Sequence, residues 1–239
     1  MITVNQGALK SALELVCKYG VARRDAPVHA QLITMRGRGD TLQLCGTDDS
    51  AIACAFVPII QADGNFRAGM WLSDAKKLMG SLQNPDAAVT LTLADNGVVL
   101  DVTTDSRQDP YANMRGSDEV ALLATVPADA VTVATVDLDA LRGVARQASA
   151  YRNPYLVIRT DEREALASVW GERGQLTKWT CVGSGGDEVM FIPVDPRYIA
   201  SFGGGRARVA WRVVRYIPLW WFDAGNTILA VTPMTPRFY

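Results

Sequence analysis

The chain has 239 residues, of which 49% are hydrophobic and 21% charged, so it can bury a substantial core and does not belong to the disordered class. Its 24 basic and 25 acidic side chains give a net charge of -1, which excludes a uniformly basic protein that coats nucleic acid. No apolar run approaches the roughly 18 residues of a membrane span and the first residues lack a secretory signal, so we expect a cytoplasmic protein without a membrane partner.

The chemistry-bearing residues are few. The four cysteines have no C-x-x-C spacing and lie in apolar stretches, which predicts four buried, reduced thiols: Cys17, Cys45, Cys54 and Cys181. His29 is the only histidine, and it is predicted to begin a strand. The sequence therefore argues against a histidine-rich metal site and against a nucleophile activated by histidine. Gly183–Asp187 lacks the Lys-Ser/Thr of a phosphate-binding loop and is predicted to be a hairpin turn. We therefore predict no enzyme, no metal and no cofactor.

The first half alternates helices and strands. Apolar residues at helical spacing predict a helix over 5–19, with Asn5 as its N-cap and Gly20 as its stop. Ser73 is the predicted N-cap of a second helix, and Asp95-Asn96-Gly97 predicts a hairpin. The second helix is predicted at 72–82, and strands at 29–36, 41–46, 51–59, 66–71, 88–94 and 98–103.

The second half repeats that order of elements. Asp137 is the predicted N-cap of a helix over 137–150, and Gly203-Gly204-Gly205 ends a shorter helix over 195–202. Strands are predicted at 130–136, 155–159, 165–171, 175–182, 188–194, 207–214, 217–222 and 227–232. A polar stretch over 105–119 separates the halves. The repeated order predicts an internal duplication, with domains at 1–125 and 126–239.

The predicted helices carry more basic than acidic side chains. The basic set is Lys10, Lys18, Lys76, Lys77, Arg142, Arg146, Arg152 and Arg197, against Glu14, Asp74, Asp137, Asp139 and Asp195. Solvated helix faces commonly carry Lys and Arg, which is one interpretation of this bias. The other is a basic helical surface that faces a polyanion, and composition does not choose between them.

Four segments together resemble the DNA sliding clamps, in particular the bacterial DNA polymerase III beta subunit. Leu42–Asp48 resembles a clamp strand that ends in a Thr-Asp turn, and Asp109-Pro110-Tyr111 resembles the Pro-Asp-Tyr region at the end of a clamp domain. Pro218–Ala224 is similar to a clamp strand that ends in Asp-Ala, and Ile228–Met234 is similar to the terminal Val-Met-Pro-Met strand. The order and spacing of these segments carry the resemblance, which spans nearly the whole chain.

The resemblance implies an α+β fold of two DNA-clamp domains, each a duplicated β-α-β-β-β unit with helices on one face of the sheets. Beta subunits have three domains, whereas this chain has room for two. Two-domain clamps of viruses, archaea and eukaryotes form rings of three protomers, so the resemblance implies a homotrimer.

The implied function is that of a DNA polymerase processivity factor, which does no bond chemistry. The ring encircles double-stranded DNA without reading sequence and tethers the DNA polymerase and the clamp loader through short peptide motifs. The alternative is a clamp-fold adaptor that binds partner peptides without encircling DNA.

The resemblance also implies two sets of site residues. Those implied for DNA contact are Lys10, Lys18, Arg23, Arg24, Lys76, Lys77, Arg142, Arg146, Arg152 and Arg197. Those implied for an apolar peptide groove are Thr47, Asp49, Ser50, Ile52, Pro110, Val231, Thr232, Pro233 and Met234. The alternatives are ordinary solvent-exposed bases in the first set, and core positions for Ile52 and Val231 in the second. Trp220-Trp221-Phe222 either exposes one aromatic face or buries both.

Overall fold

The computed structural model of the chain describes residues 1–23, 25–64, 66–94, 97–100, 120–186 and 188–234. The chain divides into two compact units, Met1–Thr125 and Val126–Tyr239. Each unit is α+β, with antiparallel strands against which its helices pack. Within the described residues, none of the helices has the length and apolar character that spanning a membrane requires.

Unit 1 (Met1–Thr125) is built on a sheet of order β7-β6-β1-β4-β3-β2-β5 in which every pairing is antiparallel. Its elements in chain order are β1 (Ile2–Asn5), α1 (Gln6–Val16), α2 (Val28–Gln31), β2 (Leu32–Arg38), β3 (Thr41–Thr47), β4 (Ala51–Ala62), β5 (Arg67–Trp71), α3 (Leu72–Ser81), β6 (Ala88–Ala94) and β7 (Gly97–Leu100). Residues 120–123 are also helical.

Unit 2 (Val126–Tyr239) is built on a sheet of order β13-β9-β10-β12-β8-β14-β15-β16, again antiparallel throughout. Its elements are β8 (Val131–Asp137), α4 (Leu138–Gln147), a 3₁₀ turn (Ala148–Ala150), β9 (Tyr155–Thr160), β10 (Ala165–Gly171), β11 (Gly174–Gln175), β12 (Thr180–Gly185), β13 (Met190–Val194), α5 (Pro196–Ser201), β14 (Arg206–Val214), β15 (Ile217–Asp223) and β16 (Thr227–Val231). The short β11 pairs with the end of β10.

The two units repeat the same strand pairings. In unit 1, β1 lies between β4 and β6, and β2 lies between β3 and β5. In unit 2 the equivalent β8 lies between β12 and β14, and β9 lies between β10 and β13. Each unit contains two main helices, α1 and α3 in unit 1 and α4 and α5 in unit 2. In both units, the strand that precedes one of these helices pairs with the strand that follows the other. The duplication predicted from the order of elements is confirmed at the level of sheet topology.

Helix α1 shows how the sequence separates a buried face from a basic one. Leu9, Leu13 and Val16 recur at helical spacing and are fully buried in a helix that packs on β3 and β4. Gly46 on β3 permits this close approach, because a Cβ there would lie 2.2 Å from the carbonyl oxygen of Val16. Lys10 consequently falls outside the buried stripe.

Helix α1 begins at a side-chain cap. The Oδ1 atom of Asn5 accepts a hydrogen bond from the backbone N–H of Ala8 at 2.9 Å. Asn5→Ala is expected to lower the free energy of unfolding by about 1 kcal/mol, as is typical for a lost N-cap. Ser73 provides the matched control. Contrary to the sequence prediction, α3 begins at Leu72 and no side chain caps it, so Ser73→Ala should change stability by less than about 0.5 kcal/mol. Denaturant unfolding of both variants tests this, and equal losses would contradict it.

Two local predictions were wrong for physical reasons. His29 lies in the short helix α2 rather than at the start of a strand, because the chain turns at Pro27 and extends only from Leu32 onward. Gly183–Gly185 lie within β12 and pair with β8 instead of forming a hairpin turn. A Cβ at Gly183 would lie 2.1 Å from the carbonyl oxygen of Thr135, so glycine serves close backbone approach here.

The aromatic run on β15 is buried on both of its faces. Trp221 and Phe222 are fully buried, and Trp220 is 4% exposed. The ring of Trp220 stacks on Trp211 of β14, its direct cross-strand partner, with centroids 5.7 Å apart. Of the two alternatives that the sequence left open, the structure therefore supports the core role.

The thiols differ from the sequence prediction at one position. Cys17, Cys45 and Cys54 are buried and reduced, whereas Cys181 is exposed. Burial raises the pKa of Cys17 to about 11, and a hydrogen bond with Cys54 together with burial raises the pKa of Cys45. The thiolate is the reactive form of cysteine.

A thiol-specific reagent at mildly alkaline pH should therefore modify one of the four cysteines rapidly in the native protein and all four after denaturation. Cys181→Ser should remove the rapid phase. Rapid modification of a second thiol in that variant, with the fold intact by circular dichroism, would contradict the burial described above.

Candidate functional site

Three of the predicted DNA-contacting lysines lie on the helices of unit 1 or directly after them. Lys18 and Lys76 are exposed and Lys10 is half-buried, and none of them forms an ion pair with any residue that the structure describes. Helices α1 and α3 pack against each other. The ammonium group of Lys76 lies close enough to the Cys17 thiol to oppose the burial-driven rise of its pKa. Lys76 is therefore near the end of α1, where Lys18 follows.

In unit 2, Arg142 and Arg146 lie one turn apart on α4 but have different surroundings. The guanidinium of Arg142 contacts Asp139 at 2.6 Å and donates to the carbonyl oxygen of Phe202 at 3.2 Å, which ties α4 to the end of α5. Arg146 is exposed and has no ion pair among the described residues. The structure gives Arg142 an internal packing role and leaves Arg146 as the free base of this helix.

Of the remaining predicted DNA-contacting bases, three lie beside a carboxylate, whereas Arg152 is exposed and has no ion pair with a described residue. Lys77 contacts Asp74 at 3.1 Å, and Arg197 contacts the cap residue Asp195 at 2.6 Å. Arg23 lies 3.9 Å from Asp25, with both side chains largely exposed. A neighbouring carboxylate reduces the charge that such a base presents to phosphate. Arg24 lies outside the described residues.

The predicted peptide-binding turn joins β3 to β4. Thr47 is buried, and its hydroxyl donates to the carbonyl oxygen of Ala51 at 2.9 Å while accepting from the N–H of Asp49 at 3.1 Å. The carboxylate of Asp48 accepts from the N–H groups of Ser50 and Ala51. Thr47 and Asp48 therefore hold the turn together from within. Asp49 and Ser50 are exposed at its tip.

His29 from α2 reaches this turn. Its Nε2 atom contacts Oδ1 of Asp49, a residue in the left-handed backbone region at φ 74°. Ile52 follows on β4 and is 8% exposed, which agrees with a core position. Within the part of the chain that the structure describes, no group of three His, Cys, Asp or Glu side chains could hold a metal ion. The histidine thus supports the turn.

Of the C-terminal residues predicted to form the peptide groove, some lie in the core and others at the surface. Val231 is fully buried on β16, opposite Trp220. Thr232 and Pro233 are half-buried, and Met234 is 37% exposed. The N–H of Met234 donates to the carbonyl oxygen of Pro193 at 2.8 Å, which fixes the segment beside β13. Pro110 lies outside the described residues.

Sequence reasoning missed a groove in unit 2. Residues 151–153, 171–173 and Leu176 enclose about 390 Å³, and we call this the arginine groove because Arg152 and Arg173 both line it. Arg173 sits in the turn between β10 and β11, far in sequence from Arg152. No local motif joins the two arginines, so only the folded chain identifies the pair.

Solved structures of DNA polymerase III beta subunits match nearly the whole chain. A protein described as this subunit from Eubacterium rectale matches with a TM-score of 0.78 and 10% identity, over 98% of this chain and 65% of its own. The sliding clamp of Bacillus subtilis matches with a TM-score of 0.75 and 15% identity, over 100% of this chain and 64% of its own. The sliding clamp of Pseudomonas aeruginosa matches with a TM-score of 0.75 and 14% identity, over 98% of this chain and 66% of its own.

These clamps are longer than the present chain, which spans only 64 to 66% of the clamps from those two organisms. No protein-family model matches the sequence, and no curated protein matches it in sequence either. At such low identity the likeness rests on the path of the chain and the pairing of its strands. The chain has the fold of the bacterial DNA polymerase III beta sliding clamps, as the resemblance of its sequence predicted.

Proposed function

We propose that the chain is a DNA sliding clamp, a processivity factor that encircles duplex DNA as a ring and tethers the polymerase. The observation that carries this proposal is the match of both units to the beta clamps over nearly the whole chain. Bases on or just after the helices of both units, which form no ion pair with any described residue, support it, because such bases attract phosphates without reading base edges. Contacts of this kind permit sliding. The proposed setting is the cytoplasm, where such a clamp would meet its DNA.

The bases that we propose as the main DNA contacts are Lys10, Lys18, Lys76 and Arg146. Each lies on or just after a helix, and none is neutralised by a carboxylate among the described residues. Lys77, Arg142 and Arg197 have carboxylate partners, so we expect them to contribute less. Long-range phosphate attraction of this kind weakens steeply as salt rises.

Ring closure by this chain requires three copies. The beta subunits that it matches are longer by the equivalent of one unit, since it spans 64 to 66% of two of them. Three protomers of two units supply the six domains that the resemblance attributes to a clamp ring. Light scattering should give a particle of roughly 78 kDa, three times the 25.9 kDa of the chain. A monomer across a wide concentration range would contradict the trimer.

For partner binding we propose the exposed tip of the β3–β4 turn and the segment that follows β16. Asp49 and Ser50 are exposed at the first, and Met234 is partly exposed at the second. Short apolar anchors of the polymerase and the clamp loader would bind there. The internal hydrogen bonds of Thr47 and the full burial of Val231 make these two residues supports of the site.

Topology provides the decisive experiment. The protein is incubated with a nicked circular plasmid and with the same plasmid after linearisation, and bound protein is recovered by gel filtration at moderate salt. A sliding ring stays on the circle and escapes from the linear ends. Equal recovery from both forms would contradict encirclement. Binding of polymerase peptides without retention on the circle would identify the adaptor instead.

A further inference from the structure

Two of the buried cysteines face each other across the hairpin that β3 and β4 form. Cys45 and Cys54 are direct cross-strand partners, and their Sγ atoms lie 3.3 Å apart. Their side chains are almost fully buried, with 1% of Cys45 and none of Cys54 exposed. The pair thus brings together two nucleophilic groups to which the proposed function assigns no role.

The strand register places this pair where side chains come closest. At the end of the hairpin, the N–H of Asp48 donates to the carbonyl oxygen of Ala51 at 3.2 Å. Hydrogen-bonded and non-hydrogen-bonded pairs alternate along an antiparallel ladder, so Cys45 and Cys54, three steps further, form a non-hydrogen-bonded pair. The Cα atoms of such a pair lie about 4.5 Å apart, which is within the range that a disulfide spans.

The sheet separates this pair from the third buried thiol. Gly46 faces helix α1, since a Cβ there would lie 2.2 Å from the carbonyl oxygen of Val16. Successive side chains of a strand point to opposite faces, so Cys45 faces away from α1, whereas Cys17 directly follows that helix. Oxidation within the native fold should therefore join Cys45 to Cys54 and leave Cys17 unlinked.

Gln43 adds a polar group beside the two sulfurs. Its Nε2 atom donates to Sγ of Cys54 and to the carbonyl oxygen of Ala121, each at 3.3 Å. Its Oε1 atom is buried and accepts no hydrogen bond from any residue that the structure describes. A buried amide oxygen without a partner favours a small molecule with an O–H donor. Hydrogen peroxide and a cysteine sulfenic acid both supply one.

We propose that Cys45 and Cys54 are a modification site, at which peroxide forms a reversible disulfide that cross-links β3 to β4 and stabilises the hairpin. In the first step, one Sγ atom loses its proton and attacks an oxygen of hydrogen peroxide, which breaks the O–O bond and gives a sulfenic acid and water. In the second step, the other thiol attacks the sulfenic sulfur, which forms the S–S bond and releases a second water. The two thiols lose two electrons and two protons, and one peroxide becomes two waters.

The surroundings of the pair make this reaction slow. A hydrogen bond with Cys54 and burial both raise the pKa of Cys45, so its reactive thiolate is scarce. The exposed Cys181 should therefore react first. The buried pair responds to sustained exposure to peroxide, and the cross-link then restricts the unfolded chain around the β3–β4 turn.

Peptide mapping of the full chain tests the site. Cys181→Ser, which lacks the exposed thiol, is treated with hydrogen peroxide, freed of it by gel filtration, alkylated in denaturant and cleaved before aspartate without reduction. Cleavage before Asp48 separates the two cysteines of the pair, so a disulfide leaves two peptides joined. We expect joined peptides that carry Cys45 and Cys54 and separate with dithiothreitol, and we expect Cys17 to be alkylated.

The matched control is Cys54→Ala in the same Cys181→Ser background, which retains Cys45 and Cys17 and should give no joined peptides. Oxidised Cys181→Ser should unfold at a urea concentration roughly 1 M higher than its reduced form, whereas the control should not shift. A joined peptide that carries Cys17, joining only after denaturation, or sulfinic acids without joining would overturn the proposal. An unchanged midpoint despite joining would overturn the stabilising effect. All these measurements use the protein alone, so they do not depend on the clamp proposal.

Discussion

Reversing the charge of the four bases proposed for DNA contact should abolish recovery of the protein with circular DNA. In Lys10→Glu/Lys18→Glu/Lys76→Glu/Arg146→Glu, each change replaces attraction to phosphate by repulsion. Near a protein surface one such charge is worth about 1 kcal/mol or more at close range. Several changes together should lower recovery at least about tenfold, which corresponds to about 1.4 kcal/mol. The measurement is gel filtration of protein bound to a nicked circle, repeated at rising salt.

The matched control reverses the same number of charges away from the helices. Arg38, Arg163, Lys178 and Arg206 are exposed and lie on strands, turns or their flanks. Reversing all four changes the net charge equally, so equal loss of DNA in the control would attribute the effect to total charge and contradict a role for the helices. Apart from the half-buried Lys10, all the altered side chains are exposed, and thermal unfolding should confirm that both variants keep the fold.

Much of the secondary structure could be predicted from the sequence, because N-caps and the alternation of apolar residues are encoded by neighbouring residues. Asn5 and Asp137 were predicted as N-caps, and both side chains accept the expected backbone hydrogen bonds. Alternation placed Trp221 and Phe222 on opposite faces of one strand, although only the structure shows that both faces are buried. These features depend on residues within a few positions of each other, which is what a sequence displays directly.

The candidate site was less predictable because it depends on partners distant in sequence. Lys76 and Lys77 are neighbours in the helix, yet among the described residues only Lys77 has a carboxylate partner. Arg142 was among the bases predicted to contact DNA, but it donates a hydrogen bond to the carbonyl oxygen of Phe202, which lies 60 positions later at the end of α5. The arginine groove depends on a pair of arginines from separate segments. The sequence shows which residues are basic. Only the folded structure shows which of them already contact a carboxylate or a carbonyl oxygen.

The prediction of a hairpin turn at Gly183–Asp187 was wrong because glycine occurs for two different reasons. A turn needs its backbone freedom, whereas a strand uses glycine when another backbone must come close. Gly183 and Gly185 carry no positive φ and lie within β12. At Gly185 a Cβ would lie 1.5 Å from the carbonyl oxygen of Asp161, far inside any permitted contact. The absence of a side chain is what allows β12 to pack there.

The turn that Gly185 contacts cannot easily move away. The carboxylate of Asp161 accepts hydrogen bonds from the N–H groups of Arg163 and Glu164 at 2.9 and 3.0 Å, and these bonds hold the pKa of Asp161 below its usual value. On its other side Gly185 is paired with Ala134 of β8. A Cβ at this position must therefore displace either the turn or the strand pairing.

Gly185→Ala should consequently destabilise unit 2 by more than about 4 kcal/mol, in the range reserved for severe packing or backbone defects. Gly143→Ala is the matched control, because Gly143 is exposed in the interior of α4 and has no atom within 4 Å of its Cβ position. That change should instead stabilise the helix by about 0.5–1 kcal/mol. Tryptophan fluorescence during denaturant unfolding reports on unit 2, where all the tryptophans except Trp71 lie. If Gly185→Ala unfolds at the same denaturant concentration as the wild type, close approach does not explain the glycine.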